Sequence, residues 1–153
     1  MTSTDFVEGD YIPIRYSARG EDISPPLQLD NISPEAKSIA ITMDDASHPL
    51  FPNYNHWVIW NVPVQAVIPE AIPHGATLEN LGNARQGIAY GRHRYKGPKP
   101  PFKSIHTYIF TVYILDSTCG LSENSHKKQL LSAMEGHILQ KATLSGQFQN
   151  HRK

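Results

Sequence analysis

Apolar and polar positions along this chain alternate in short bursts rather than at helical spacing, and the bursts predict strands at 11–16, 37–43, 56–62, 107–115 and 142–148. The clearest is 107–115, TYIFTVYIL, where β-branched and aromatic residues dominate and neither Gly nor Pro intervenes. In 56–62, Trp57, Ile59 and Asn61 alternate with Val58, Trp60 and Val62. Both faces of that strand are largely apolar, as expected for one buried between layers. A single helix is predicted over 125–135. Asn124 or Ser125 caps its start, Leu130, Leu131 and Met134 form its apolar stripe, and Gly136 ends it. Between the third and fourth strands, 63–101 is rich in Pro and Gly and carries no long periodic element. Loops of that length inside a domain are more often functional than idle. Strands with one late helix and one long excursion make a mainly β fold, a β-sandwich with peripheral helices.

Length and charge narrow the picture. The 153 residues fit one domain, 1–153, with a core of its own. Lys plus Arg and Asp plus Glu are each 14, so the formal net charge is zero. A nucleic-acid or anionic-membrane binder needs a basic excess, so no nucleic-acid partner is expected. No apolar run approaches the roughly 18 residues of a membrane span. The first ten residues lack the basic and apolar regions of a secretory signal, and the expected location is cytoplasmic. Cys119 stands alone, which excludes an internal disulfide and a cysteine-based metal cluster.

Candidate chemistry gathers at three places. Asp44 and Asp45 follow the strand ending at Met43, at a sheet rim, and project to opposite sides. One can orient a histidine or receive a ligand while the other stays in solvent; the segment through Ser47, His48 and Pro49 reads equally as a polar turn. His56, beside Trp57, opens the next strand, as a core residue or as a pocket wall. Gly97-Pro98-Lys99-Pro100-Pro101 makes a stiff loop in which Gly97 permits close approach of a ligand. His106 and Tyr108 are two apart on a strand and share a face, so an imidazole and a phenol point together. Both donate well to phosphate oxygens.

These segments, in order, resemble the phosphatidylethanolamine-binding protein family, in its bacterial and archaeal branch related to Raf-kinase inhibitors. Gly20-Glu21-Asp22-Ile23-Ser24-Pro25-Pro26 resembles the family's G-x-D-x-S-P-P. Asp45 to Pro49 resembles its D-P-D-x-P, and 56–63 its H-W-V strand. Gly97-Pro98-x-Pro100-Pro101 and His106-x-Tyr108 resemble its G-P-x-P-P and H-R-Y. Glu135–Leu139 with Leu144 and Gly146 resembles the closing segment. The resemblance implies a Greek-key β-sandwich with a small anion pocket at one end. Position by position, it implies a ligand-binding set of Asp45, His56, Gly97, Pro98, His106 and Tyr108.

Three departures stand out. Ser47 replaces the second Asp of D-P-D, with Ala46 for its Pro, so the rim loses a charge and some stiffness. Thr107 replaces the Arg of H-R-Y. Lys99 adds a base near the mouth and favours a more anionic ligand. His93-Arg94-Tyr95 spells the family triplet literally, but it precedes Gly97, and Tyr95 better matches the aromatic before the G-P loop.

The expected function is therefore binding of a small anion, phosphate or a phosphoryl head-group, without catalysis and without a cofactor, in a protein able to act as a regulator. The alternative is a hydrolase of phosphate or acyl esters, with His56 and His106 as acid and base. Against it, Ser47 lacks a G-x-S-x-G context and Cys119 lies outside the motifs. A metal site built from His48, His56, His106 and the acids has none of the usual ligand spacings, and none is expected. A homodimer is compatible with the aromatic content; a protein partner is not specified.

Overall fold

The computed structural model describes residues 1–150. Its longest sheet is built around the run that gave the strongest strand signal. β1 (Leu27–Gln28), β2 (Ser38–Asp45), β3 (Tyr54–Val62), β4 (Val67–Ile68), β5 (Thr77–Leu78), β6 (Ala84–Gln86), β7 (Ile105–Leu115) and β8 (Ile138–Gln149) follow in chain order, with the helix α1 (Lys127–Met134) before β8. The larger sheet runs β5-β6-β3-β2-β7-β8 and every pairing in it is antiparallel. Its inner strands β7-β2-β3-β6 place the fourth strand of the set beside the first, which is the Greek key. The smaller sheet pairs β1 with β4.

β2 is buried at every position and lies between β3 and β7. Side chains alternate, so the sheet presents an apolar surface on both faces. On one, Ile39, Ile41, Trp57, Ile59, Phe110 and Val112 pack with Leu27 and Ile68 of the small sheet and with Phe6, Ile12 and Tyr16. On the other, Ala40, Val58, Trp60, Tyr113 and Leu115 meet Leu130 and Met134 of α1. The two apolar faces expected of β3 are thus covered by different partners. Each large side chain so buried contributes about 1.5–3 kcal/mol relative to exposure.

Four of the expected strands form, with ends shifted by a few residues. The fifth, 11–16, does not. Residues 10–12 touch β8 through Ile12 N–H to Gln147 O at 2.8 Å and Gln147 N–H to Asp10 O at 2.9 Å. Pro13 then ends the pairing, because it has no amide hydrogen to continue a ladder. Ile14–Tyr16 instead turns into a single 3₁₀ turn, with Tyr16 N–H bonding Pro13 O at 3.0 Å. The helix is shorter than expected, with His126 rather than Asn124 or Ser125 at its cap; the His126 amide is met by Gln129 Oε1 at 2.9 Å. Gly136 follows at φ +81°, the left-handed geometry that closes a helix. The excursion over 63–101 holds the short strands β4, β5 and β6, too brief to leave a periodic signal.

Candidate functional site

Antiparallel pairing brings the end of β2 beside the beginnings of β3 and β7, with Asp45 opposite Tyr54 on one side and Tyr108 on the other. Asp45, His56, His106 and Tyr108 converge there on a cavity of about 350 Å³. His48, Tyr90, Lys96, Lys99, Pro100 and Pro101 also line it.

His106 and Asp45 form the most defined contact, Nδ1 to Oδ2 at 2.7 Å with both side chains buried. The second carboxylate oxygen accepts the Ser47 amide at 2.8 Å. Ser47 Oγ in turn accepts the Thr107 amide at 2.9 Å, tying the turn after β2 onto β7. Far from loosening the rim, Ser47 stitches it. Asp44 faces away, as two successive strand residues must, but it does not lie in solvent. It is 7% exposed, and its oxygens meet Asn55 Nδ2 at 3.0 Å and Lys127 Nζ at 2.6 Å on α1.

His56 owes its direction to an irregularity. Met43 pairs with Trp57 and Asp44 with Asn55, so His56 is the extra residue of a β-bulge, a feature that re-aims a side chain. Its carbonyl accepts the Lys96 amide at 3.1 Å, and its ring Nδ1 meets the Lys96 carbonyl at 2.8 Å. The carbonyl can only accept, so Nδ1 carries the hydrogen and Nε2 is left for the cavity. Tyr90 Oη stands 3.3 Å from that Nε2. Burial pushes the His56 pKa below its ordinary value, partly opposed by the Lys96 carbonyl and by Asp45. Tyr108 lies between the two imidazoles, 5.3 Å from the His56 centroid and 6.3 Å from that of His106. Burial, with Asp45 nearby, raises its pKa, so the hydroxyl stays a donor.

Gly97 and Pro98 do not line the cavity; they stand behind it. The Gly97 amide donates to Asp22 Oδ1 at 2.7 Å, and the other oxygen of Asp22 pairs with Arg94. Pro98 O accepts the Ala18 amide at 3.0 Å. A Cβ on Gly97 would lie 2.4 Å from Tyr16 O and 2.7 Å from Asp22 Oδ1. Its smallness therefore serves packing against residues 16–22, not the approach of a ligand. Lys99, Pro100 and Pro101 are the part of that loop that reaches the cavity. His93-Arg94-Tyr95 is spent on structure: His93 Nδ1 meets Gln86 O at 2.7 Å, and buried Tyr95 donates to Tyr16 O at 2.6 Å.

Tyr90 and Lys96 escaped the sequence reading because both come from the non-periodic excursion. Tyr90 and Gly91 have φ +51° and +70° and are closed by reciprocal Ala89–Arg92 backbone bonds of 3.1 Å. Positive φ at both central residues is the signature of a tight hairpin turn, and an aromatic there is strained. A Tyr-Gly pair in a loop was the one available signal. His48 holds the turn after β2 by accepting the Phe51 amide at 3.0 Å, and it stacks on Tyr54 at 4.9 Å. Among the described residues, no three of His, Cys, Asp and Glu come together as metal ligands. No helix among the described residues is long and apolar enough to cross a membrane.

Architecture and site define a Greek-key β-sandwich with a histidine-, tyrosine- and carboxylate-lined cavity at one end of its larger sheet. The chain belongs to the phosphatidylethanolamine-binding protein family, whose model matches residues 2–149. It is 40% identical over 149 residues to a UPF0098 protein of Pyrococcus abyssi, covering 96% of this chain and 83% of that one. A UPF0098 protein of Methanothermobacter thermautotrophicus is 39% identical over 138 residues, covering 90% and 89%. Among solved structures, a phosphatidylethanolamine-binding protein homologue of Chlamydia trachomatis superposes with TM-score 0.81 at 35% identity, covering 96% of this chain and 94% of that one. The Escherichia coli protein YbcL, at 21% identity, shares the fold with TM-score 0.83 over 96% and 95%.

Proposed function

We propose that the cavity between β2, β3 and β7 binds a small anion, a phosphate or the phosphoryl group of a larger molecule. The observation that carries this reading is the engagement of the carboxylate among the described lining residues: both Asp45 oxygens are taken, by His106 and by the Ser47 amide. The rest of the polar lining is three imidazoles, those of His48, His56 and His106, the phenols of Tyr90 and Tyr108, and the side chains of Lys96 and Lys99, with Tyr90 Oη beside His56 Nε2. Those groups supply hydrogen-bond donors and positive charge to an oxyanion. A cavity of that size suits a phosphate with part of a substituent.

The role is one of binding rather than turnover. The hydroxyls lining the cavity are phenols, and burial pushes Tyr90 up to about 12 and Tyr108 higher. Neither ionises readily enough to act as a nucleophile. Cys119 is buried on the α1 side of the sheet.

Titration with inorganic phosphate, followed through the histidine ring NMR signals, tests the reading. Signals of His56 and His106 shift while those of His74 and His126 stay. If every ring remains still at millimolar phosphate, the anion reading is wrong. Hydrolysis of p-nitrophenyl phosphate or acetate by the wild type beyond that of His56→Ala would instead make the cavity an active site.

A further inference from the structure

A second cavity, of about 430 Å³, adjoins the first and is lined by Ala89, Tyr90, Arg92, Arg94 and Lys96. Tyr90 and Lys96 belong to both, so the two chambers share a wall. None of the described residues that line the second is a carboxylate. Of its cations, Arg94 is neutralised by Asp22. Arg92 and Lys96 have no ion pair among the described residues; the Lys96 ammonium sits 5.9 Å from the Tyr90 ring centroid. Elsewhere on this neutral protein, Arg15, Arg85 and Lys127 are each met by a carboxylate. Three cationic side chains around a hollow with one countercharge make a local positive field. The hairpin turn that holds Tyr90 against His56 also fixes Arg92 two residues on, so the strained backbone sets the spacing of the two chambers.

We propose that the Arg92 chamber is a second anionic subsite, and that the natural ligand carries two anionic groups. This rests on the phosphoryl reading of the first chamber. One group, a phosphoryl, sits among His56, His106 and Tyr108. The other, a second phosphoryl or a carboxylate, is met by the Arg92 guanidinium, whose planar fork grips either group through two bonds. Lys96, on the shared wall, touches the bridge between them. The ligand class is a short bisphosphate or phospho-carboxylic acid.

The test compares α,ω-alkane bisphosphonates of increasing length with alkylphosphonates of matched length, by calorimetry on the full chain. At the fitting length, the bisphosphonate binds about tenfold tighter or more, because the second contact is intramolecular. In Arg92→Gln this ratio falls to about twofold, the statistical value for two equivalent ends. Lys37→Gln removes the same charge at the opposite end of β2 and keeps the wild-type ratio. A wild-type ratio near two at every length, or a high ratio that survives Arg92→Gln, overturns the second subsite while leaving the first intact. An equal fall in Lys37→Gln reduces the effect to net charge and overturns it too. Failure of the monophosphonates themselves to bind overturns both readings together.

Discussion

Asp45 and His106 stand on neighbouring strands of the sheet, and the carboxylate of the one holds the imidazole of the other at 2.7 Å, with Asp45 3% and His106 6% exposed. The pair sets which His106 nitrogen faces the cavity. Asp45→Asn removes the charge but keeps the shape. It should cost about 2 kcal/mol of stability, the range for hydrogen bonds to charged groups, read from urea denaturation. Phosphate affinity should fall about tenfold, 1.4 kcal/mol, by calorimetry. Unchanged affinity would separate Asp45 from the binding site.

Anion binding should consume protons. With Nδ1 of His56 committed to the Lys96 carbonyl, its neutral ring has only a lone pair on Nε2 to offer, with Asp45 and His106 beside it in the cavity. An oxyanion requires a hydrogen there. Other titratable or charged groups facing the cavity are His48, Tyr90, Lys96, Lys99 and Tyr108. Sulfate, which does not titrate near neutrality, should bind about tenfold more weakly for each pH unit of rise while one proton accompanies each anion. Calorimetry in buffers of different ionisation enthalpy measures that proton, and a value of zero contradicts the argument.

His56 also makes stability depend on pH. Burial lowers its pKa in the folded chain below the ordinary 6.5. Below about 6.5, the unfolded chain takes up a proton that the folded chain refuses, so stability falls as pH drops and levels off beneath the folded pKa. Above that range the group contributes nothing. Thermal melts from pH 8 to pH 5 should show a smaller loss for His56→Asn than for the wild type; parallel curves would show that His56 is not responsible.

Gly97→Ala tests a packing role. The added methyl meets backbone and side-chain oxygen rather than a yielding side chain, with Tyr16 O at 2.4 Å. Overpacking of this kind costs about 1–3 kcal/mol. The melting temperature should drop, and phosphate binding should follow only as far as the 97–101 loop is displaced. A melting temperature equal to the wild type's would mean that residues 16–22 yield freely.

Asp44→Asn separates the two acids at the end of β2. Asp44 pairs with Lys127 on the opposite face from the cavity. Its loss should destabilise by about 1.5–3 kcal/mol, the range for a hydrogen bond to a charged group, and leave phosphate affinity at the wild-type value. A parallel loss of affinity would mean that α1 and the cavity are coupled.

The alternation of side chains is a local property, and it determined much by itself. It marked the four strands that carry the larger sheet, put His106 and Tyr108 on one face, and sent Asp44 and Asp45 to opposite sides. The ordered motifs were enough to indicate the family. Tertiary structure decided the rest, because the deciding contacts join distant parts of the chain. The bulge that aims His56 exists only once β3 is in register with β2. The Lys96 carbonyl that selects its tautomer lies 40 residues away, in a segment without periodicity. Tyr90 reaches the cavity, and Arg92 the hollow beside it, through a turn no strand or helix pattern records. Gly97, which reads alone as room for a ligand, is room for Tyr16 and Asp22, and only their packing against it could show that.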